Sequence, residues 1–169
     1  MELNAAGLAT VFNEFDHGVE FKSFTELTSG HINDTFYIDA TGPDNFVLQR
    51  INSFVFKKSK ELIINKVKVS EFIQEQLKHL PDTAIAKRTL QFVRSRSGLA
   101  YVKDDEGNYW NLSYFIEGSK TVERVTDTTI AFEGGKLYGE FLNLVQGLDV
   151  AEIVDIIPNF HEMSFRYSQ

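Results

Sequence analysis

The sequence predicts an α+β fold: an antiparallel sheet of about five strands with one long helix packed on it, followed by a region of helices only. Three observations predict it. Residues 21–51 hold three short runs of strand-forming, alternating side chains joined by brief turn-rich connections. Residues 57–79 change to an apolar period of three to four. Beyond residue 118 the strand pattern does not return. Hydrophobic residues make up 43 % of the 169, which supplies a core and argues against global disorder.

The elements follow in order. Leu3, Leu8, Val11, Phe12 and Phe15 have near-helical spacing and predict a short amphipathic helix over 3–15. FKSFTELT (21–28) and DTFYIDA (34–40) read as strands, and TGPDN (41–45) is a Gly-Pro-Asp-Asn turn into a third strand, FVLQRI (46–51). Leu62, Ile63, Val67, Val69, Phe72, Ile73 and Leu77 then mark one buried helical face, with Lys and Glu between them and Pro81 near the end. Strands resume at 89–94, 99–103 and 108–116, the last two flanking the hairpin signal DDEG. Residues 125–147 return to helical spacing through Ile130, Leu137, Tyr138, Phe141, Leu142 and Val145, ending near Gly147. One or two short helical pieces broken at Pro158 follow. The length suits one domain of usual size or a piece of something larger. The helical region is too short to build a full core, which gives the expectation of a truncated second unit. The predicted division is 1–118 and 119–169.

Charge and composition exclude several functions. A net charge of −7 and a pI near 5.1 oppose nucleic-acid binding, which needs a basic face, but leave room for a local basic pocket. There is no cysteine, so thiolate metal sites and disulfides are absent and a reducing cytoplasm is compatible. The N-terminal stretch lacks a basic segment followed by an apolar run, so it does not read as a signal peptide, and no run of 18 apolar residues reads as a membrane span. No pair of histidines has metal-ligand spacing. His17 and His79 read as surface residues, and His161 as a structural hydrogen-bonding residue.

Four segments carry candidate chemistry. LTSGHINDTFYI (27–38) puts a glycine and several polar residues where two strands meet. Gly30 permits close approach to a polyphosphate, and Ser29, His31, Asn33 or Thr35 can contribute polar groups; a polar hairpin loop has the same pattern. On 46–51, alternation places Val47 and Gln49 on one face and Leu48 and Arg50 on the other. Arg50 is either a phosphate-neutralising cation or a solvent-facing edge residue. On the long helix, Glu61 or Glu71 is either the carboxylate that holds such a cation or part of a solvated face. Tyr114-Phe115-Ile116-Glu117-Gly118, a strand running into a turn before helices, is either a hinge that meets a nucleotide base or a plain strand end.

Together, TSGHINDTFYI, FVLQRINSFVFK, YWNLSYFIEGSKT and IIPNFHEMSFR resemble the phosphotransferase family of aminoglycoside and choline kinases. The likeness is to its N-acetylhexosamine 1-kinase-like branch in particular, where G-H-I-N-x-T is followed by L-Q-[KR]-[IV]-N and V-F. It spans about residues 20–166. The resemblance implies a protein-kinase-like N-terminal lobe plus the first helices of an α-helical C-terminal lobe. It implies ATP as the nucleotide, with Mg²⁺ in the full-length protein, and phosphoryl transfer to a small-molecule hydroxyl, an amino sugar's among the candidates. On it, 28–35 covers phosphate, Val47 is among the residues that bind the nucleotide, Tyr114–Ile116 belong to the hinge that meets the base, and Glu71 supports the strand cation.

Two departures stand out. Gln49, not lysine, falls at the family's strand-cation position, and Arg50 points the other way unless a bulge turns it. No H-G-D-x-x-x-x-N loop or later metal-binding Asp is present. Without a general base, worth roughly 10²–10⁴-fold, and without metal, the chain alone is expected not to turn over. The alternatives are a non-catalytic kinase-like interaction module and an unrelated α+β ligand-binding domain. A homodimer formed through exposed C-terminal helices is a further expectation.

Overall fold

A computed structural model describes residues 3–122 and 124–168. Its architecture is α+β, built on an antiparallel sheet of six strands. In chain order the elements are α1 (Ala5–Phe12), β1 (Phe21–Glu26), β2 (Asp34–Ala40), β3 (Phe46–Arg50), α2 (Ser59–Leu77), α3 (Asp82–Ile85), β4 (Phe92–Val93), β5 (Val102–Lys103), β6 (Tyr109–Tyr114), α4 (Thr128–Leu144), a 3₁₀ turn (Val150–Glu152) and α5 (Met163–Tyr167). The sheet order is β1-β2-β3-β6-β4, with β5 also paired to β6.

Alternation decides what each sheet face does. Phe36, Ile38, Ala40, Phe46, Leu48, Trp110 and Leu112 point to one face and pack with Leu8, Val11 and Phe12 of α1. Each fully buried Leu or Phe there contributes about 1.5–3 kcal/mol. Thr35, Tyr37, Val47, Gln49, Asn111 and Ser113 belong to the opposite face, and the register sets them in two rows. Thr35 pairs with Gln49 and Gln49 with Asn111; Tyr37 pairs with Val47 and Val47 with Ser113.

The helix α2 runs 19 residues. Ile63, Val67, Ser70, Ile73 and Leu77 recur on its buried side. Ile63 and Val67 pack with Ile51 and Ala100, while Ile73 and Leu77 meet Ile85 of α3 and the end of α4 at Leu144 and Val145. Lys68 Nζ ties α2 to the C-terminal segment through Glu152 O at 3.0 Å, and Asn65 ties it there too. Its amide donates to Val154 O at 2.7 Å and accepts from Val154 N–H at 3.1 Å. Lys58 Nζ adds a bond to Asp155 O at 2.8 Å.

Several expectations change. The predicted strand 89–94 contracts to Phe92–Val93, because Leu90 O accepts from Ser70 and Gln74 and so faces α2 instead of a neighbouring strand. The strand at 99–103 likewise contracts to Val102–Lys103. The hairpin after it is held by Asp104, whose carboxylate accepts from Glu106 N–H, Asn108 N–H and Trp110 Nε1–H, with Gly107 at φ +85°. These bonds hold the Asp104 carboxyl below its ordinary pKa against the opposing effect of burial.

His17 is not a free surface residue. It stacks on Phe12 with ring centroids 3.8 Å apart. Its Nδ1 accepts from Val19 N–H and its Nε2–H donates to Phe12 O, and burial lowers its pKa. His79 is exposed, and His161 is an exposed residue set edge-on to Phe160. Among the described residues no helix is long and apolar enough to cross a membrane.

Candidate functional site

The loop between β1 and β2 is built by pairwise matching with the end of β3. Asn33 Oδ1 accepts from Asn52 N–H at 2.9 Å, and Asn52 Nδ2 donates back to Ile32 O at 3.0 Å. One residue on, Arg50 Nε donates to Asp34 Oδ2 at 2.8 Å. One further, Gln49 Nε2 donates to Thr35 Oγ1 at 3.0 Å. The two polar runs, N-D-T and Q-R-x-N, are therefore two sides of one seam. Asn52 also anchors the next turn, its Oδ1 accepting from Phe54 and Val55 N–H.

Asn33 has its side-chain oxygen tied to the chain after β3, and two other candidate residues are placed away from the expected phosphate site. Arg50 does not join Gln49. The β2–β3 and β3–β6 registers run unbroken through residue 50, so no bulge turns it. Its guanidinium is instead paired with Asp34 and lies 5.8 Å from the Trp110 ring centroid on the other face. Glu71 does not approach β3. It pairs with Arg94, both side chains about half exposed.

The helix residue that reaches the sheet is Lys66, which the sequence reading passed over. Its ammonium donates to Gln49 Oε1 at 2.9 Å and to Asn111 Oδ1 at 3.0 Å, and lies 5.4 Å from the Phe92 ring centroid. Asn111 is buried and oriented by its own amide, which donates to Gln49 O at 3.3 Å. Burial pulls the Lys66 pKa from 10.5 down to about 8. A signal existed in the sequence: Lys66 sits three residues after Ile63 and four before Ser70, on the helix stripe that otherwise faces inward. Lysine at such a position reads as a boundary residue unless its partners are known.

Ser29, Gly30 and His31 are exposed at the loop tip. Gly30 and His31, with Thr28, Ile32, Asn33, Asp34 and Thr35, line a hollow of about 260 Å³, and Ser29 is not part of that lining. A Cβ on Gly30 would meet nothing within 4 Å, and its φ lies outside the left-handed region. Neither turn geometry nor packing within the chain requires glycine there.

At the other end of the face, Tyr37 meets Phe115 edge-on at 5.0 Å, beside half-buried Val47. Tyr114 N–H donates to Gln91 O at 2.9 Å and Phe115 N–H to Asn45 O at 2.8 Å. These two amides of the expected hinge are thus already satisfied within the chain. Asn45 also donates to Glu117 Oε1 at 3.1 Å. Tyr114, Phe115, Ile116 and Glu117 line a second hollow, of about 410 Å³, with Lys87, Thr89 and Gln91.

The opposite face of the sheet is therefore graded. Apolar Tyr37, Val47 and Phe115 lie toward the 114–117 corner. Polar Thr35, Gln49, Asn111 and the Lys66 ammonium lie toward the glycine loop. Such a surface can take a flat apolar group at one end and an anion at the other. Among the described residues no group of three or more His, Asp or Glu is placed to hold a metal ion. In a comparison with known protein families, no family model matches the chain.

Proposed function

We propose that this chain is the nucleotide-binding part of a small-molecule phosphotransferase, with a protein-kinase-like N-terminal lobe and the opening helices of a C-terminal lobe. It would bind ATP and serve transfer of the γ-phosphoryl group to a hydroxyl, that of an amino sugar on the resemblance described above. The observation that carries this reading is the graded sheet face. A base fits against Val47, Tyr37 and Phe115, while a triphosphate runs toward Thr35, Gln49 and the 28–33 loop. Gly30 adds support, because its lack of a side chain has no internal explanation and leaves open space where phosphate would lie. With Phe115 N–H taken by Asn45, the base edge would be met beyond it, at Phe115 O and Ile116 N–H, rather than by the first hinge amide.

In such chemistry the protein contributes positioning and electrostatic stabilisation. The residues present here bind and orient the nucleotide. The group that takes the acceptor's proton and the carboxylates that hold Mg²⁺ are not among them, so this chain by itself is expected to bind without turnover.

The test is backbone amide NMR with adenosine, ADP and ATP. Adenosine is expected to shift Tyr37, Val47, Phe115 and Ile116. ATP should add shifts at residues 28–35 and Gln49. Perturbations confined to the α1 face or to α4, or none at millimolar ATP, would refute the reading.

A further inference from the structure

We propose that Lys66, carried by the helix α2, is the cation that meets the nucleotide's phosphates, in place of any residue on the strand β3. The inference rests on the nucleotide-binding reading above and assigns its missing positive group.

The argument begins with the two strand candidates. Gln49 is neutral and its amide N–H is held by Thr35 Oγ1. Arg50 carries charge, but it is paired with Asp34 on the α1 face. Neither offers a free positive charge to the graded face. Lys66 does. Its two contacts, Gln49 Oε1 and Asn111 Oδ1, are neutral amide oxygens. Among the described residues no carboxylate lies within ion-pair distance of it. An ammonium has three N–H donors, so one remains for a further acceptor.

A half-buried cation without a counter-ion is costly. An anion arriving on this face would remove that cost, and charge-assisted bonds to phosphate oxygen are among the stronger hydrogen bonds. Gln49 and Asn111 fix where the ammonium sits, and Gln49 joins it to Thr35 at the root of the loop. The usual polarity of strand cation and helix carboxylate is thus exchanged here for strand amide and helix cation. Glu71, the helix carboxylate the sequence suggested, turns instead to Arg94.

The experiment follows the Lys66 side-chain ammonium by ¹⁵N-edited NMR while wild-type protein is titrated with ATP, inorganic tripolyphosphate or adenosine, and measures the same affinities for Lys66→Met and Lys66→Arg. ATP and tripolyphosphate are expected to move the Lys66 signal and adenosine to leave it in place. Lys66→Met should weaken ATP by about tenfold or more, as loss of one charge-assisted bond does, while adenosine affinity holds. Lys66→Arg should recover part of the loss.

A second measurement needs no variant. The groups facing Lys66 are Gln49, Asn111, Thr35 through Gln49, and the Phe92 ring, none of which titrates. Wild-type ATP affinity should therefore fall by up to about tenfold from pH 7 to pH 9 as Lys66 releases its proton.

The outcomes separate the two claims. ATP binding with the Lys66 signal unmoved, or at equal affinity in folded Lys66→Met, overturns the assignment and leaves the nucleotide reading standing. A Lys66 shift with tripolyphosphate but no preference for ATP over tripolyphosphate supports the anion site and refutes the nucleotide. Failure of every polyanion to bind overturns both.

Discussion

Replacing Lys66 with Met should change how stability depends on pH, in a direction fixed by the burial of the ammonium. Lys66 has a pKa of about 8 in the folded chain against 10.5 ordinarily. Below about pH 8 both folded and unfolded states hold the proton, and the folded state bears the full cost of burying the charge. Between pH 8 and pH 10.5 the folded state has released the proton and the unfolded state has not. The unfolded state then binds more protons, so stability rises with pH over that window. A gap of about 2.5 pH units at about 1.4 kcal/mol each gives about 3 kcal/mol.

Methionine keeps the length of the side chain and loses the charge, so the variant lacks this increment. Urea unfolding of wild type and variant, at intervals from pH 7 to pH 10.5, yields the difference in stability at each pH. All other ionisable groups are common to both proteins, so the difference isolates Lys66. The wild type is expected to gain about 3 kcal/mol on the variant across the window. At pH 7 the two effects of the substitution oppose each other: relief of the buried charge, and two amide oxygens on Gln49 and Asn111 left without their donor. The slope is therefore the diagnostic quantity. A difference that stays flat to within about 0.5 kcal/mol from pH 7 to pH 10.5 would refute a desolvated ammonium at this site.

Further perturbations probe the same architecture. Gln49→Lys puts a second cation against Lys66 and breaks the bond to Thr35; a loss of about 2–3 kcal/mol at pH 7 by urea unfolding is expected, shrinking toward pH 9, with partial recovery in Gln49→Lys/Lys66→Gln. Asn52→Ala removes the side-chain bond to Ile32 O across the loop seam and the bonds its Oδ1 accepts from Phe54 and Val55 N–H, while its backbone N–H still donates to Asn33; it should cost about 1–2 kcal/mol, with faster hydrogen exchange concentrated at residues 28–34. Gly30→Ala should leave the melting temperature within a degree or two, because its Cβ enters open space, yet weaken ATP measurably if phosphate lies above it; unchanged ATP affinity would count against the loop's role. Asn65→Ala should loosen the 152–155 segment, still held by Lys58 at Asp155 and Lys68 at Glu152, seen as lost exchange protection at Val154 with little change at β3 or β6.

Much of the molecule was legible from local pattern. The β2 and β3 alternation, the turn at 41–45 and the α2 stripe are properties of neighbours in the chain, and hydrophobic periods of two and of three to four report them directly. The divergent faces of Gln49 and Arg50 followed from the pleat alone, and the unbroken register agrees. The strand β4 is shorter than its pattern predicts because Leu90 O is taken by Ser70 and Gln74 of α2, 20 and 16 residues away, and β5 is shorter because Leu99 bonds back to Ser95. Helix α4 was visible from spacing, and Asp127 caps it with bonds to Thr129 and Ile130 N–H. Its outward display of Phe132, Leu137 and Tyr138 agrees with the expectation of exposed C-terminal helices.

By itself the amino-acid order determined the kinds of elements, their sequence and the side of each strand on which a residue stands, since these depend on steric preferences and periodicities a few residues long. Tertiary structure alone decided which polar groups meet. Lys66 reaches Gln49 across 17 positions and Asn111 across 45, while Glu71 finds Arg94 across 23. Those partnerships are set by how a helix seats against a sheet to bury its apolar stripe. A rotation of that helix too small to alter any local pattern would exchange one charge for another at the site.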